Sequence, residues 1–181
     1  MEDKTITMPV IALRGMTVLP KMMIHFDISR SKSIAAVEKA MIGDQRVCLV
    51  TQKNSEEADP GVDELHSVGC VALIKQLVKI PNNVVRVMVE GQERVELLGL
   101  DSEEPMLVGE IGTLTESEDS LDYVTRQAMV RILKEKLEEY GKENPRMLKE
   151  VFPNLMMITD LGELLDQIAI QLTWDYKNRQ K

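Results

Sequence analysis

Aromatic side chains are scarce in this chain: three Tyr, two Phe and one Trp among 181 residues. Bases are outnumbered as well, 22 Lys and Arg against 30 Asp and Glu, for a net charge of −8. A surface that repels phosphates and has few rings for stacking excludes nucleic acid as an expected partner. There is no run of eighteen apolar residues, and Met1-Glu2-Asp3-Lys4 has neither a basic leader nor an apolar core. Neither a membrane-spanning helix nor a secretory signal is therefore expected, and the cytoplasm is the expected compartment.

Chemistry-bearing residues are equally thin. The only histidines are His25 and His66 and the only cysteines Cys48 and Cys70, and together they have no metal-ligand spacing. Both thiols sit in apolar strand-like runs, where cysteine behaves as a small buried hydrophobe and a disulfide is not expected. No phosphate-cradling glycine loop of either common type occurs; the nearest approach, Gly109-Glu110-Ile111-Gly112, has the wrong spacing and no following helix. The acid pairs Glu56-Glu57 and Glu103-Glu104 lie in polar, turn-like stretches, where carboxylates are solvated and poorly suited to acid–base work. Catalytic, cofactor-binding and metal-binding residues are accordingly all expected to be absent, and the chain is read as a non-enzyme.

What the chain does have is apolar content of 44% and twelve methionines. Enough core-forming residue is present for one ordinary domain or two small ones. The first two-thirds reads as β structure, because β-branched residues dominate its apolar runs and Gly, Pro or Asn separate them. Strands are expected over 6–13, 23–28 and 46–52. A helix opening near Ser31 or Ser33, with either hydroxyl as cap, should end at Gly43. Residues 53–64, acidic and containing Pro60-Gly61, read as a solvated loop. Two long strands over 68–91 should meet at Asn82-Asn83, since asparagine tolerates the positive φ that a tight turn requires. The second should continue past a bend at Gly91, before a last strand over 106–115.

At 115–120, TESEDS, the composition turns small, polar and acidic, and everything beyond reads as helical. The expected division is a β-rich part over 1–116 and a helical part over 117–181. Ser120 should cap a helix over 121–140, whose Leu121, Val124, Ala128, Ile132, Leu133 and Leu137 make an apolar stripe that Gly141 closes. Asn144-Pro145 should open a shorter helix. Asp160 with Glu163 resembles a capping box for a helix faced by Leu161, Leu164, Leu165, Ile168 and Leu172. A fourth helix should begin at Trp174, and the set reads as a truncated α-helical bundle.

The segment that invites a binding role is 16–26, MTVLPKMMIHF, in which Met16, Leu19, Met22, Met23 and Phe26 are the candidate contacts for a protein substrate. Unbranched thioethers repack around many apolar partners, although the same side chains also serve as core filler. Met156-Met157 is a second such pair.

These segments, in this order, resemble the amino-terminal domain of Lon ATP-dependent proteases. Ala12-Leu13-Arg14, Val18-Leu19-Pro20, Arg30, Ser33, Ile34 and Ala40 fill one signature of that family. Val68-Gly69, Val71-Ala72, Pro81 and Val89-Glu90-Gly91 with Arg94 fill a second, and Asp160-Leu161-Gly162 with Leu165, Asp166 and Ile168-Ala169 a third. Departures are Lys21 where glycine is common, His25 where proline is common, and Ile28 where a small residue is common. The resemblance implies an α+β fold, a β-rich PUA-like pseudo-barrel with one inserted helix followed by the helical bundle. It implies recognition and positioning of unfolded or damaged proteins for an ATPase and a Ser-Lys peptidase that lie outside these residues. The implied partners are such substrates, other Lon subunits and the downstream ATPase domain. Alternatives left open are a structural, oligomerising region that gates the protease ring and a stand-alone Lon-like adaptor. A homodimer exchanging its helical part about 115–120 is the self-association this layout permits.

Overall fold

The computed structural model describes residues 5–114, 121–144, 149–171 and 175–180. They form two compact units, the first holding 5–114 with 175–180, the second the described residues between. In the first unit the strands are β1 (Ile6–Leu13), β2 (Met23–Ile28), β3 (Arg46–Thr51), β4 (Val68–Ile80), β5 (Val84–Ser102) and β6 (Val108–Thr113), with helix α1 (Ser31–Ile42) between β2 and β3. The β-rich unit with one inserted helix, followed by helices, is the α+β architecture expected from the sequence.

The strands make one sheet in the order β2-β5-β4-β3-β1-β6, with a further β5–β6 pairing that closes it on itself. β1 and β3 run parallel, as the helical crossover between them allows, and every other pairing is antiparallel. The closure depends on β5. Its first half pairs with β2 and its second with β6, so it must change direction on the way. The turn into it is the expected one, with Asn82 and Asn83 at φ of 67° and 56°. The change of direction falls where register against β4 jumps from Gly91 to Glu93, leaving Gln92 as an extra residue. Such a bulge bends one strand and increases its twist.

Inside the closed sheet lie Met8, Val10, Ala12, Cys48, Val50, Leu65, Val71, Val95, Leu97, Leu107 and Ile111. α1 packs across β1 and β3, with Ala36, Val37 and Ala40 buried. Its start differs from expectation: Arg30 is the cap residue, no side-chain cap bond is made, and Ser31 and Ser33 both fall inside the helix. Gly43 follows its last turn as expected.

The second unit contains α2 (Tyr123–Glu143), α3 (Phe152–Met157) and α4 (Leu161–Gln171) around Val130, Leu137, Leu155, Leu164 and Ile168. Ser120, Pro145, Leu172 and Trp174 lie outside the described residues. Asp122 caps α2, accepting a 2.7 Å bond from the Thr125 N–H. α2 runs past Gly141, which is buried within it, to Glu143. Asp160 does cap α4, accepting from the Glu163 N–H at 2.8 Å. The expected stripe on α2 splits: Leu137 is buried, but Leu121, Val124 and Ile132 are exposed, and Val130 is the inward residue. At 3.6 residues per turn the expected stripe winds round the helix: Val130 and Leu137 share the packed face, while Val124 and Ile132 lie on roughly the opposite side.

The segment expected to begin a fourth bundle helix is instead a short helix, α5 (Tyr176–Gln180), that belongs to the first unit. Its sequence, YKNRQ, lacks an apolar stripe, and it docks by polar contacts: Gln180 Nε2 donates to the Val68 carbonyl at 2.8 Å.

A Cβ on Gly91 would run into the backbone carbonyl of Leu19, whereas one on Gly99 would meet nothing within 4 Å. Gly91→Ala should therefore lower unfolding free energy by about 1–3 kcal/mol, as overpacking does. Gly99→Ala should stay within about 0.5 kcal/mol of the parent. Urea unfolding of both variants checks this, and equal midpoints would show that the close approach at Gly91 is not limiting.

Candidate functional site

The candidate segment is pinned at both ends by backbone geometry. Gly15 opens the loop 14–22 at φ 63° and Lys21 closes it at φ 62°. The Lys21 N–H donates to the Gly91 carbonyl at 2.8 Å, and the Gly91 N–H to the Met22 carbonyl at 2.9 Å. Midway, the Thr51 hydroxyl donates to the Met16 carbonyl at 2.9 Å. Drawn down in this way, the loop sends its apolar side chains inward. Leu19 is 5% exposed and Met22 9%, so these two candidates are interior packing and offer no surface. The periodicity of a loop carries no inside or outside, which is why sequence alone could not separate them from the others.

Of the remaining three, Met16 lies in the loop and Met23 and Phe26 lie on β2, where alternation decides. Met23 faces out at 60% exposure, on the same face as His25 and Asp27. Opposite them on β5 stand Glu90, Met88 and Arg86. Beyond these on β4 is Val78, exposed and paired with Arg86. Ion pairs flank this weakly apolar face: Arg86 grips Asp27 through two bonds of 2.7 and 2.8 Å, and Lys75 meets Glu90 at 2.6 Å. The Arg86 hydrogen bond holds the Asp27 carboxyl below the usual carboxylate range. Phe26 is half-buried and points to the other face. It lines, with half-buried Met16, a cleft of about 120 Å³.

That cleft is a seam in the sheet. β1 pairs with β6 only through Ile6–Pro9 and with β3 through Val10–Leu13, so the second half of β1 lacks a strand on its β6 side. β2 pairs with β5 alone, so its other edge is open among the described residues. Residues 11–14 and 26–30 line the gap between these two edges. Arg30 partly fills it: its Nη2 donates to the Ala12 carbonyl and, at 2.8 Å, to Oε1 of the fully buried Gln52. Gln52 Nε2 in turn donates to the carbonyls of Asn54 and Glu57, at 3.2 and 2.9 Å. One planar cation thus satisfies two groups that burial would otherwise leave unpaired.

Met157, of the second methionine pair, is 82% exposed on α3, while Met156 is half-buried. Among the described residues no group of three or more His, Cys, Asp or Glu comes together to hold a metal. No described helix is long and apolar enough to cross a membrane. Glu104 of one acid pair meets Lys32 at 3.2 Å, beside Asp59 at 2.8 Å. Cys48 and Cys70 are buried and not joined in a disulfide. Burial pushes the Cys48 thiol up to about 12.

Comparison with known proteins decides the family. The profile of the ATP-dependent protease La (LON) substrate-binding domain matches residues 7–181. The chain belongs to the Lon substrate-binding domain family. It is 37% identical over 180 residues to the Lon protease of Lachnoclostridium phytofermentans, covering 99% of this chain and 22% of that protein. It is 36% identical over 173 residues to the Lon protease of Bacillus thuringiensis, covering 96% and 22%. The chain thus spans about a fifth of the length of these relatives. The N-terminal domain of Mycobacterium avium complex Lon protease superposes with a TM-score of 0.72 at 18% identity, over 96% of this chain and 87% of that one. A Lon N-terminal domain protein from Xanthomonas campestris gives 0.61 at 14%, over 96% and 87%. At those identities the likeness is one of fold.

Lys21, a departure from the family resemblance drawn from the sequence, sits in the left-handed region that disfavours a Cβ. Lys21→Gly should raise stability by about 0.5–1 kcal/mol, the strain relieved less the extra entropy of an unfolded glycine. Thermal and urea unfolding check the sign; a lower midpoint would mean that contacts of the lysine side chain outweigh the strain.

Burial also sets a pH dependence. The folded state keeps Cys48 protonated above the ordinary thiol pKa of about 8.5. Its contribution to stability is complete below that value and is lost as pH rises toward about 12. Thiol-reactive dye at pH 8 should label neither cysteine until denaturant unfolds the first unit. Stoichiometric labelling of the native chain would contradict the packing described.

Proposed function

We propose that this chain is the non-catalytic, substrate-holding region of a Lon-type ATP-dependent protease, and that it grips unfolded or damaged protein along β2. The observation that carries the reading is the match of the Lon substrate-binding domain over residues 7–181. The geometry supplies a means. An open strand edge offers main-chain donors and acceptors to any extended segment, whatever its sequence, as clients unrelated to one another require. Met23 on one face of that strand, and Phe26 with Met16 on the other, add adaptable apolar contact. The roughly side-chain-sized cleft beside Phe26 takes one anchor rather than a long stretch.

Affinity in such an arrangement is weak, micromolar or poorer, because ordering a flexible client opposes a small apolar contact. Several copies held together in the intact protease would restore grip through avidity. The chain needs no cofactor for this role; ATP hydrolysis and peptide cleavage belong to the rest of the protein.

A second reading rests on a different surface. Val124 and Ile132 along α2, with Leu121 just before it, leave apolar side chains exposed, Val124 by 75%, which suits contacts between subunits or with the following domain. The two readings differ in what a surface charge destroys. In fluorescence anisotropy with a labelled, permanently unfolded protein, Met23→Asp should weaken binding about tenfold while leaving the melting temperature unchanged. Met157→Asp, on the second unit, should bind as the parent does. Equal binding by parent and Met23→Asp would remove β2 from the account, and loss of assembly in Val124→Asp with binding intact would support the subunit role for α2.

A further inference from the structure

The exposed face of β2 gathers donor atoms of one chemical kind. Met23 and His25 are two residues apart on the strand, so their side chains leave the same face about 7 Å apart. His25 pairs directly with Met88 of β5, which brings their Cβ atoms to within about 4.5–5.5 Å. Two thioethers and an imidazole therefore stand at the corners of a small triangle. Met23 and His25 are exposed and Met88 is half-buried, and among the described residues the His25 imidazole makes no hydrogen bond. The carboxylates at the two ends of this face are engaged already, Asp27 by Arg86 and Glu90 by Lys75. Spacing among histidines and cysteines gives no hint of the arrangement, because Met88 lies far along the chain and joins only through strand register.

We infer that Met23, His25 and Met88 bind one soft monovalent cation of the Cu(I) class, through two thioether sulfurs and one imidazole nitrogen. Thioether sulfur is a weak ligand for hard cations and a good one for Cu(I), and imidazole serves copper as well. A hard dication such as Mg(II) or Ca(II) needs oxygen donors, and on this face the carboxylates are held in ion pairs. Convergence costs little. Methionine has three rotatable bonds and no branch, so both sulfurs can swing toward the imidazole without moving the backbone. Because β2 is the terminal strand and pairs with β5 alone, a cation shared by Met23, His25 and Met88 would tie it to its neighbour through side chains as well as backbone. The inference stands apart from client capture, which uses the open edge of β2 and does not involve His25 or Met88.

The probe is Ag(I), which shares the preference of Cu(I) for sulfur and imidazole and is not redox-active in air, added as nitrate in chloride-free buffer to the chain carrying isotope-labelled methionine methyl groups. In NMR spectra the Met23 and Met88 methyl signals, identified through Met→Leu variants, should move together and stop moving at about one equivalent. The signal of Met157, 82% exposed on the second unit, should stay where it is. His25→Gln and Met88→Leu should each weaken binding about tenfold or more, and Met157→Leu should not. Leucine keeps the volume of methionine and His25 is exposed, so unchanged melting temperatures separate a lost ligand from a lost fold. Zn(II), whose protein ligands are thiolate, imidazole and carboxylate, should leave both methionine signals in place. Equal movement of the Met157 signal overturns the inference, as it would report thioether binding without a site. So does undiminished affinity in His25→Gln, the same response to Zn(II), or uptake of Ag(I) that leaves the Met23 and Met88 signals unmoved. Met88→Leu reports on this site and Met23→Asp in the client assay on capture along β2, so either reading can fail without the other.

Discussion

The contact between the backbone of Gly91 and the loop 14–22 governs the first unit. β5 must serve two neighbours in succession, and it bends beside the point where the loop lies directly on it. The absence of a side chain at Gly91 is what lets Leu19 approach. Reciprocal hydrogen bonds between Gly91 and residues 21 and 22 then hold the loop down. From this follow the burial of Leu19 and Met22 and the outward face of Met23 one residue later.

A second constraint is polar. Gln52 is fully buried at the end of β3, a place where an unsatisfied amide would cost about 1–3 kcal/mol. Its oxygen is met by Arg30 and its nitrogen by two loop carbonyls. Arg14 adds a 3.2 Å bond to the Glu57 carbonyl from the other side. The acidic loop after β3, solvated in outline, is therefore tied to the seam between β1 and β2. A cation thus bonds across the open seam to the Ala12 carbonyl, where no strand pairs.

The methionines divide along similar lines. Met8 and Met22 fill gaps within the first unit, Met16 and Met88 are half-covered, and Met23, Met41, Met129 and Met157 reach solvent. An unbranched, flexible side chain tolerates both water and apolar neighbours and fills irregular interior space.

Alternation, spacing and turn chemistry were enough to place β1, β2, β4 and the Asn82-Asn83 turn, to put a bend near Gly91, and to assign the thiols to the interior, because each is a local consequence of side-chain period or backbone φ. The family, too, was legible in short motifs such as Val89-Glu90-Gly91. Tertiary structure alone decided which of five candidate side chains reach the surface, that Arg30 rather than a serine occupies the start of α1, that Val130 rather than Val124 faces inward on α2, and that residues 176–180 return to the first unit. These are matters of what lies on the other side of a face. Local sequence specifies a face, but only packing between distant segments specifies whether anything covers it.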